Sequence, residues 1–180
     1  MESLLNRRSC RKFVRGEAIP KADLVKILEN AQQYPCAMGY QEVDFVVCTN
    51  VEKLDDLSDK LHQNIPEFKG YLDTRVTGLN VKNTIWCDAP CVVFLVSNDQ
   101  KSQFKEINMG EAAMSIIAVA NEMGYGTLPV LMCANPDAIK YTSEMLGIPA
   151  EKIGLSIAIG KVRPDWEAPK KELKSEIKWL

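Results

Sequence analysis

The chain has 180 residues, of which 46% are hydrophobic. This length and composition suit one domain, residues 1–180, with a single sizeable core. Its 22 Lys and Arg nearly balance its 24 Asp and Glu, and the net charge of -2 provides no positive field to attract nucleic acid or anionic membranes. Because the sequence shows neither an apolar leader nor an apolar run of roughly 20 residues, we expect a cytoplasmic protein without a membrane span.

The first third of the chain contains two helix patterns and one strand pattern. Apolar residues at helical spacing predict an amphipathic helix over residues 21–33. A short β-branched run predicts a strand at residues 44–48. The sequence Thr-Asn-Val-Glu at residues 49–52 is typical of a capping box, and it predicts a helix that continues to about Leu61.

The middle of the chain has one weak segment and one strong segment. Residues 65–88 are polar and interrupted by proline and glycine, which favours a lid or an insertion with a helical turn or two at residues 81–86. Trp86 is interpreted either as a core residue or as a wall of a substrate cleft. The continuous apolar run at residues 91–96 predicts a strand that is buried on both faces at the centre of a sheet.

The next segment alternates between helix and strand patterns. Residues 104–123 are apolar on nearly every side, which predicts a helix that a partner subunit helps to cover. Residues 128–133 are predicted to form a strand. The sequence Asn-Pro-Asp at residues 135–137 combines a cap, a first-turn proline and a favourable charge, and it predicts a helix from there to Leu146.

The C-terminal part of the chain contains one strand pattern and a charged arm. Residues 153–160 alternate between large and small side chains, which predicts a strand with one face open to close approach by a flat or bulky group. We expect the last 20 residues to pack on another surface, such as a second subunit, through apolar anchors: Leu173, Ile177, Trp179 and Leu180.

A basic segment near the N-terminus is the main functional signal. Residues 7–13, Arg-Arg-Ser-Cys-Arg-Lys-Phe, place four cations and a hydroxyl within seven residues, a combination that suits a phosphate. A solvated basic surface is the alternative that charge alone favours. The thiol of Cys10 is interpreted either as a reactive thiolate among arginines or, as we prefer, as a spacer.

Several motifs follow this segment in a defined order. The pattern Ile-Pro-x-x-x-Leu-x-x-Ile-Leu occupies residues 19–28, and residues 34–41 are similar to a Pro-Ser-x-x-Asn-x-Gln-Pro segment. Further landmarks are a strand entry at residues 88–90, a long helix with a glycine turn at residues 110–127, and a closing segment at residues 146–160. Together with Arg-Arg-Ser-x-Arg-x-Phe, this ordered set resembles the FMN-dependent nitroreductase family over nearly the whole chain.

This resemblance implies an α+β fold, with a central mixed or antiparallel sheet flanked by helices, and an interleaved homodimer with FMN in two interface clefts. The residues that match the family's phosphate and ribityl positions are Arg7, Arg8, Ser9 and Arg11. The residues that match its flavin-ring segments are Cys36, Ala37 and Gly39, from the partner subunit, and Leu128, Pro129 and Val130. A late basic position that completes the phosphate clamp matches Lys170 or Lys171, with Lys161 and Arg163 as competitors.

The activity that the resemblance implies is an oxidoreductase. It takes a hydride from NAD(P)H and passes it through FMN to a small acceptor, such as a nitroaromatic or a quinone, by ping-pong kinetics. FMN carries the chemistry, and no catalytic side chain is required. Two departures leave flavin affinity and substrate range open: Gly39 replaces an asparagine of the family pattern, and Glu42 replaces a proline.

Three alternatives to this activity stay open. The first is a flavin-binding carrier or sensor without turnover. The second is another reaction on the same fold, namely dehalogenation, dehydrogenation or flavin fragmentation, with residues 65–88 deciding among them. The third is a thiol-based or metal-binding protein without flavin.

Motifs for other chemistry are weak. His62 is the only histidine and is interpreted as a surface residue. Cys87 and Cys91 lack the Cys-x-x-Cys spacing, and we expect all six cysteines to be reduced and no metal to be bound. No Gly-x-Gly-x-x-Gly motif follows a predicted strand, which argues against a resident dinucleotide.

Overall fold

The computed structural model describes residues 6–98 and 103–179. Within these ranges, one antiparallel sheet is built from the strands β1 (Val43–Cys48), β2 (Cys91–Ser97), β3 (Gly126–Val130) and β4 (Ile153–Gly160). The helices that surround the sheet are α1 (Lys21–Ala31), α2 (Val51–Asn64), α3 (Lys69–Leu79), α4 (Lys105–Glu122) and α5 (Ile139–Leu146). This α+β architecture confirms the predicted fold class, and the sheet is antiparallel rather than mixed.

The strand order is β1-β2-β4-β3, so β2 and β4 are central. β1 pairs with β2 from Val43 opposite Ser97 to Cys48 opposite Val92. Every residue of β2 is buried, as the continuous apolar run predicts, because helices cover both faces of the sheet. β3 is an edge strand, where Pro129 loses no ladder hydrogen bond on its open side.

The core lies on both faces of the sheet. On one face, α2, α5 and the segment 81–90 pack around Trp86 and Phe94, whose rings meet edge to face at 5.7 Å between centroids. On the other face, α1 and α4 cover Val93 and Ile157. The indole N–H of Trp86 donates to the Ser156 hydroxyl at 2.9 Å, which satisfies the polar atom of this fully buried side chain. Of the two interpretations of Trp86, the core residue is therefore correct.

The predictions for α1, α2, α4 and the strands β1, β2 and β4 are confirmed to within a few residues. α2 begins where the capping pattern predicts, but its N-cap is Asn50, whose side chain accepts from the backbone N–H of Lys53 at 3.0 Å. The helix ends at Asn64, beyond the predicted Leu61.

The prediction of a helical turn or two at residues 81–86 is wrong, whereas the lid or insertion at residues 65–88 stays a prediction. The segment contains α3, whose sequence has little helical periodicity and which buries only Leu72 and Arg75. Residues 81–90 form turns without a helix, and nearly all of them are buried. Their polar side chains concealed this burial from the sequence, because hydrogen bonds inside the protein satisfy them.

Two predicted boundaries after α4 are also wrong. β3 starts at Gly126 and ends at Val130, and a 3-10 turn at Met132–Ala134 replaces the last part of the predicted strand. α5 begins at Ile139, since the side chain of Asn135 accepts from the backbone of Asp137 at 2.9 Å and forms a turn instead of a helix cap.

The small residues of β4 allow the close approach that the sequence predicts. A Cβ atom at Gly154 would lie 2.3 Å from the Met109 sulfur, and one at Gly160 would lie 2.6 Å from a Pro90 ring carbon. The chain's own side chains therefore occupy this space. The C-terminal arm carries its apolar anchors in solvent, with Trp179 90% exposed; Leu180 lies outside the described residues. Within the described ranges, no helix is long and apolar enough to cross a membrane.

Candidate functional site

The basic segment, residues 7–13, runs along the end of the sheet formed by β3 and β4. Ser9 bridges Thr127 in parallel, and the backbone N–H of Cys10 donates to the Thr127 carbonyl at 2.9 Å. Phe13 bridges Val162, two residues after the end of β4. These backbone contacts fix the segment although it belongs to no regular strand.

The side chains of the basic segment divide between core and surface. Cys10 and Phe13 point into the core, whereas Arg7, Ser9 and Arg11 are only partly buried. Cys10 is 2% exposed and burial raises the pKa of its thiol to about 11, which favours the spacer interpretation over a reactive thiolate. The alternation leaves the arginines on the accessible side.

The cations of this segment differ in their partners. Lys12 pairs with Asp165 at 3.1 Å. In the described part of the chain, no carboxylate pairs with Arg7 or Arg11. Arg11 has a buried Nε without a hydrogen-bond partner, its Nη1 donates to the Ser9 carbonyl at 3.4 Å, and its guanidinium also contacts the Tyr71 hydroxyl. These two guanidiniums thus retain donors for a ligand.

α3 brings a second arginine to the same place. Arg75 is 6% exposed, and its guanidinium donates to the carbonyls of Thr84 and Ile85 and to the hydroxyl of Tyr71. The pKa of Tyr71 is lowered, first by this hydrogen bond from Arg75 and also by the charge of Arg11. Arg11, Tyr71 and Arg75 therefore form one cluster, which we call the arginine–tyrosine cluster.

A second polar group, to which α2 contributes Asp55, holds the segment 81–90 in place. Arg15 donates to Asp55 and Asp88, and the backbone N–H groups of Lys82 and Asn83 donate to Asp88 at 3.1 and 2.8 Å. We call Arg15, Asp55 and Asp88 the paired cluster. Burial raises the pKa of Asp55, but hydrogen bonds from Arg15, Lys82 and Asn83 outweigh this effect and lower it overall.

The segment 36–42, which contains the predicted ring-facing residues, is anchored to α4. Met38, Gly39 and Gln41 all have positive φ angles, between 49° and 67°. The backbone N–H of Ala37 donates to the Asn108 side-chain oxygen at 3.1 Å, and the Asn108 amide donates to the buried carboxylate of Glu42. Asn108 thus binds Glu42, one of the two departures from the family pattern, and holds the backbone at Ala37, two residues before the other, Gly39.

Steric crowding does not require glycine at position 39. A Cβ atom there would have no neighbour within 4 Å, although the φ angle of 67° favours glycine. Asparagine is among the residues that tolerate this backbone region, so the backbone does not exclude the family's usual residue.

The other predicted site residues lie at the β3 edge and in the arm. Leu128 and Val130 are buried, whereas Pro129 is exposed beside the basic segment. The Arg8 side chain donates to the Pro169 carbonyl at 3.0 Å, which brings the arm to this segment directly before Lys170 and Lys171.

The two competitors for the late basic position are engaged elsewhere. Lys161 pairs with Glu17, and Arg163 pairs with Asp165 and donates to the Asn80 carbonyl. This geometry favours Lys170 or Lys171 over both of them.

The structure therefore brings together the basic segment, β3 and the start of the arm within one chain. No hydrogen bond or ion pair among the described residues joins them to segment 36–42. Sequence reasoning missed Tyr71, Arg75 and Asn108. Tyr71 and Arg75 are four residues apart, and this i,i+4 spacing on one helix was the only local signal.

Other candidate groups have structural roles. His62 belongs to α2, and its ring nitrogens meet Asp73 of α3 at 2.9 Å and Thr84 at 3.1 Å, so it is a partly buried link rather than a surface residue. All six cysteines are free, and burial raises the pKa of Cys87 to about 11 and that of Cys91 to about 12. Within the described ranges, no group of three or more metal-binding side chains is assembled.

The chain is similar to one protein family and to several solved structures. A model described as Nitroreductase family matches residues 4–161. No curated protein matches significantly. A nitroreductase with bound FMN from Bacteroides fragilis is 22% identical, with a TM-score of 0.79, over 99% of this chain and 96% of that chain.

Two further structures give the same result. A nitroreductase with bound FMN from Desulfitobacterium hafniense is 20% identical, with a TM-score of 0.80, over 99% of this chain and 96% of that chain. An FMN-dependent nitroreductase from Clostridium difficile is 27% identical, with a TM-score of 0.70, over 93% of this chain and 90% of that chain. These similarities extend over nearly the whole fold.

Proposed function

Since the chain belongs to the nitroreductase family, we propose that it is an FMN-dependent oxidoreductase. Its proposed reaction is the transfer of a hydride from NAD(P)H to a small acceptor of the nitroaromatic or quinone type. Similar structures from two bacteria contain bound FMN, which supports this cofactor. The predicted cytoplasmic location belongs to the same proposal.

The proposal rests on the backbone contacts and the charges of the basic segment. Its backbone is fixed along β3, while Arg7 and Arg11 have no carboxylate partner among the described residues. Charge-assisted hydrogen bonds contribute about 1.5 to 3 kcal/mol each, so a few of them to a phosphate supply most of the roughly 8 kcal/mol of micromolar binding. The residues present therefore fit a phosphorylated cofactor.

Each group of predicted residues has a proposed role. The proposed phosphate and ribityl site consists of Arg7, Arg8, Ser9 and Arg11, with Lys170 or Lys171 closing it from the arm. The proposed ring site consists of Leu128, Pro129 and Val130 in β3 and, from a second copy of the chain, Cys36, Ala37 and Gly39. A bound FMN supplies a ring that accepts a hydride and passes it on.

In this proposal, the protein binds and orients the cofactor and the substrates. The buried side chains of Leu128 and Val130 hold β3 rigid, and Pro129 offers an apolar surface without an N–H donor. Beyond the Ser9–Thr127 bridge, the outer edge of β3 would line a cleft that NAD(P)H and the acceptor enter in turn. This arrangement predicts ping-pong kinetics.

The proposed homodimer accounts for apolar surface that a single chain leaves exposed. On the outer side of α4, Ile107 is 59% exposed and Met114 is 39% exposed. In the arm, Leu173, Ile177 and Trp179 are almost fully exposed. A second copy would cover both surfaces, as the apolar pattern of residues 104–123 predicts.

The test starts from the absorption spectrum of the purified protein, before and after anaerobic addition of NADH, with light scattering to measure the mass. We expect a flavin spectrum that NADH bleaches and the mass of a dimer. Replacing Arg7, Arg8 and Arg11 together by alanine should abolish FMN retention, whereas the matched variant Lys12→Ala, which removes a paired cation of the same segment, should keep it. Full FMN occupancy in the triple variant would contradict the proposal.

A flavin carrier without turnover is the second candidate, and Gly39 in place of the family's asparagine favours it. The same spectrum separates the two functions. A bound flavin that NADH fails to bleach points to the carrier, and a protein that stays colourless with added FMN points away from both.

A further inference from the structure

Arg75 is a buried cation whose charge no acid of the described chain balances. It is 6% exposed, and its hydrogen-bond partners among the described residues, the carbonyls of Thr84 and Ile85 and the hydroxyl of Tyr71, are uncharged. Its Nε is buried without a hydrogen-bond partner. A buried guanidinium in this state is costly unless a negative charge comes close to it.

Arg11 adds a second positive charge that no acid of the described chain balances. It too has a buried, unpartnered Nε, and it takes part in no ion pair of the described ranges. Both guanidiniums act on the same neighbours, since the pKa values of Tyr71 and Cys87 each respond to the charges of Arg75 and Arg11. Two positive charges that act on the same two side chains also repel each other, and an anion between or beside them would reduce this repulsion.

Tyr71 connects the buried charge to solvent. Its oxygen accepts from Arg75 at 3.1 Å, and the Arg75 guanidinium lies 4.7 Å from the centre of its ring. Because the oxygen is the acceptor in this bond, the phenolic O–H remains available to donate outward. The side chain is 47% exposed, so a ligand can reach it.

We infer that Tyr71 and Arg75 extend the cofactor site onto α3, where Tyr71 and Arg11 meet a negatively charged group of FMN and Arg75 positions the Tyr71 hydroxyl. This inference rests on the proposed function, because FMN is the anion in question. The negative charge belongs either to the phosphate or to the reduced flavin ring. Arg75 is a positioning residue in this arrangement, since it acts through Tyr71 and through its charge.

The experiment compares the dissociation constants of FMN and riboflavin for the wild-type protein and for Arg75→Met. We expect Arg75→Met to weaken FMN binding about tenfold to a hundredfold, the range of a charge-assisted interaction. Unchanged riboflavin binding assigns the charge to the phosphate. Equal weakening of both ligands, with a lower reduction potential of the bound flavin, assigns it to the ring.

Two further variants separate charge from structure. Arg75→Lys keeps the charge and should recover part of the FMN affinity, which a purely structural role would not predict. Lys69→Met, on the same helix and paired with Asp73, should leave both dissociation constants unchanged. If Arg75→Met does not fold, Tyr71→Phe replaces it, because it removes only a half-exposed hydroxyl, and about twofold to tenfold weaker FMN binding is expected.

The outcomes distinguish this inference from the proposed function. A wild-type protein that binds no FMN refutes both. A wild-type protein that binds FMN, with Arg75→Met and Tyr71→Phe equal to it within twofold in affinity and potential, refutes the inference alone.

Discussion

The paired cluster and the arginine–tyrosine cluster place arginines against the same segment, 81–90, in opposite electrostatic states. Arg15 reaches two carboxylates, Asp55 at 3.2 Å and Asp88 at 3.0 Å. Arg75, by contrast, reaches only carbonyls and a phenol, and it is more deeply buried than Arg15. A cation that the fold itself neutralises serves the fold, whereas a cation that the fold leaves unbalanced indicates a ligand.

This difference also explains how polar residues can be buried in the core. The carboxylate of Asp88 accepts hydrogen bonds from two backbone N–H groups and from one guanidinium, so these donors are satisfied although the turn at residues 81–88 is buried. The stability of the turn therefore depends on an internal acid. The arginine–tyrosine cluster has no such acid, and its stability should depend on the cofactor instead.

Removing the acid of the paired cluster should have the largest effect on stability. Asp88→Ala leaves the N–H groups of Lys82 and Asn83 and the charge of Arg15 without their acceptor. We expect the free energy of unfolding, measured by urea denaturation of the FMN-free protein, to fall by about 3 to 5 kcal/mol. Asp165→Ala is the control, because this half-exposed acid pairs at the surface, and a loss as large as that of Asp88→Ala would contradict the distinction.

Single substitutions of one arginine from each cluster should give opposite results. Arg15→Ala exposes two acids to mutual repulsion, and we expect a loss of about 2 kcal/mol in unfolding free energy, since Arg15 is one-third exposed, with unchanged FMN affinity. Arg11→Ala removes no ion pair of the described chain. It should leave the stability of the FMN-free protein nearly unchanged and weaken FMN binding about tenfold to a hundredfold.

The same two measurements on both variants decide the comparison. Urea denaturation gives the stability without FMN, and quenching of flavin fluorescence gives the affinity. If Arg11→Ala destabilised the FMN-free protein as much as Arg15→Ala does, Arg11 would be a structural residue like Arg15.

Much of the fold followed from local sequence patterns. The apolar run of β2 and the helical spacing of α1 predict their elements because burial on fixed faces leaves a period in the sequence. α3 left no such period, since it buries only Leu72 and Arg75. Its position depends on tertiary contacts, which single-sequence patterns do not contain.

The candidate site was predictable only in part, for the same reason. The basic segment is contiguous, so its arginines are visible as a motif. Tyr71 and Arg75 reach Arg11 from more than fifty positions away along the chain. Asn108 likewise meets Glu42 across a long sequence separation. Such pairs arise from packing, and neither member is unusual in its own surroundings.

The smallest expected effect is a dependence of stability on acidic pH to which Asp55 of the paired cluster contributes and the arginine–tyrosine cluster, which has no acid, does not. The pKa of Asp55 lies below its ordinary value, so the folded protein binds this proton more weakly than the unfolded chain. The stabilisation is complete above the unfolded pKa of about 3.9 and is lost as the pH falls from there through the lowered pKa. One such group changes the unfolding free energy by at most about 1.4 kcal/mol per pH unit.

Asp55→Asn cannot titrate, so its unfolding free energy should be lower than that of the wild type at pH 7 and should fall less steeply between about pH 4 and pH 2. Asp56→Asn is the matched control on α2, because Asp56 is exposed and its one ion pair among the described residues is with Lys60, one turn away. Parallel pH profiles for Asp55→Asn and the wild type would show that the carboxylate does not respond to Arg15. The same profile measured for Arg75→Met should run parallel to the wild type, since no acid accompanies that arginine in the described chain.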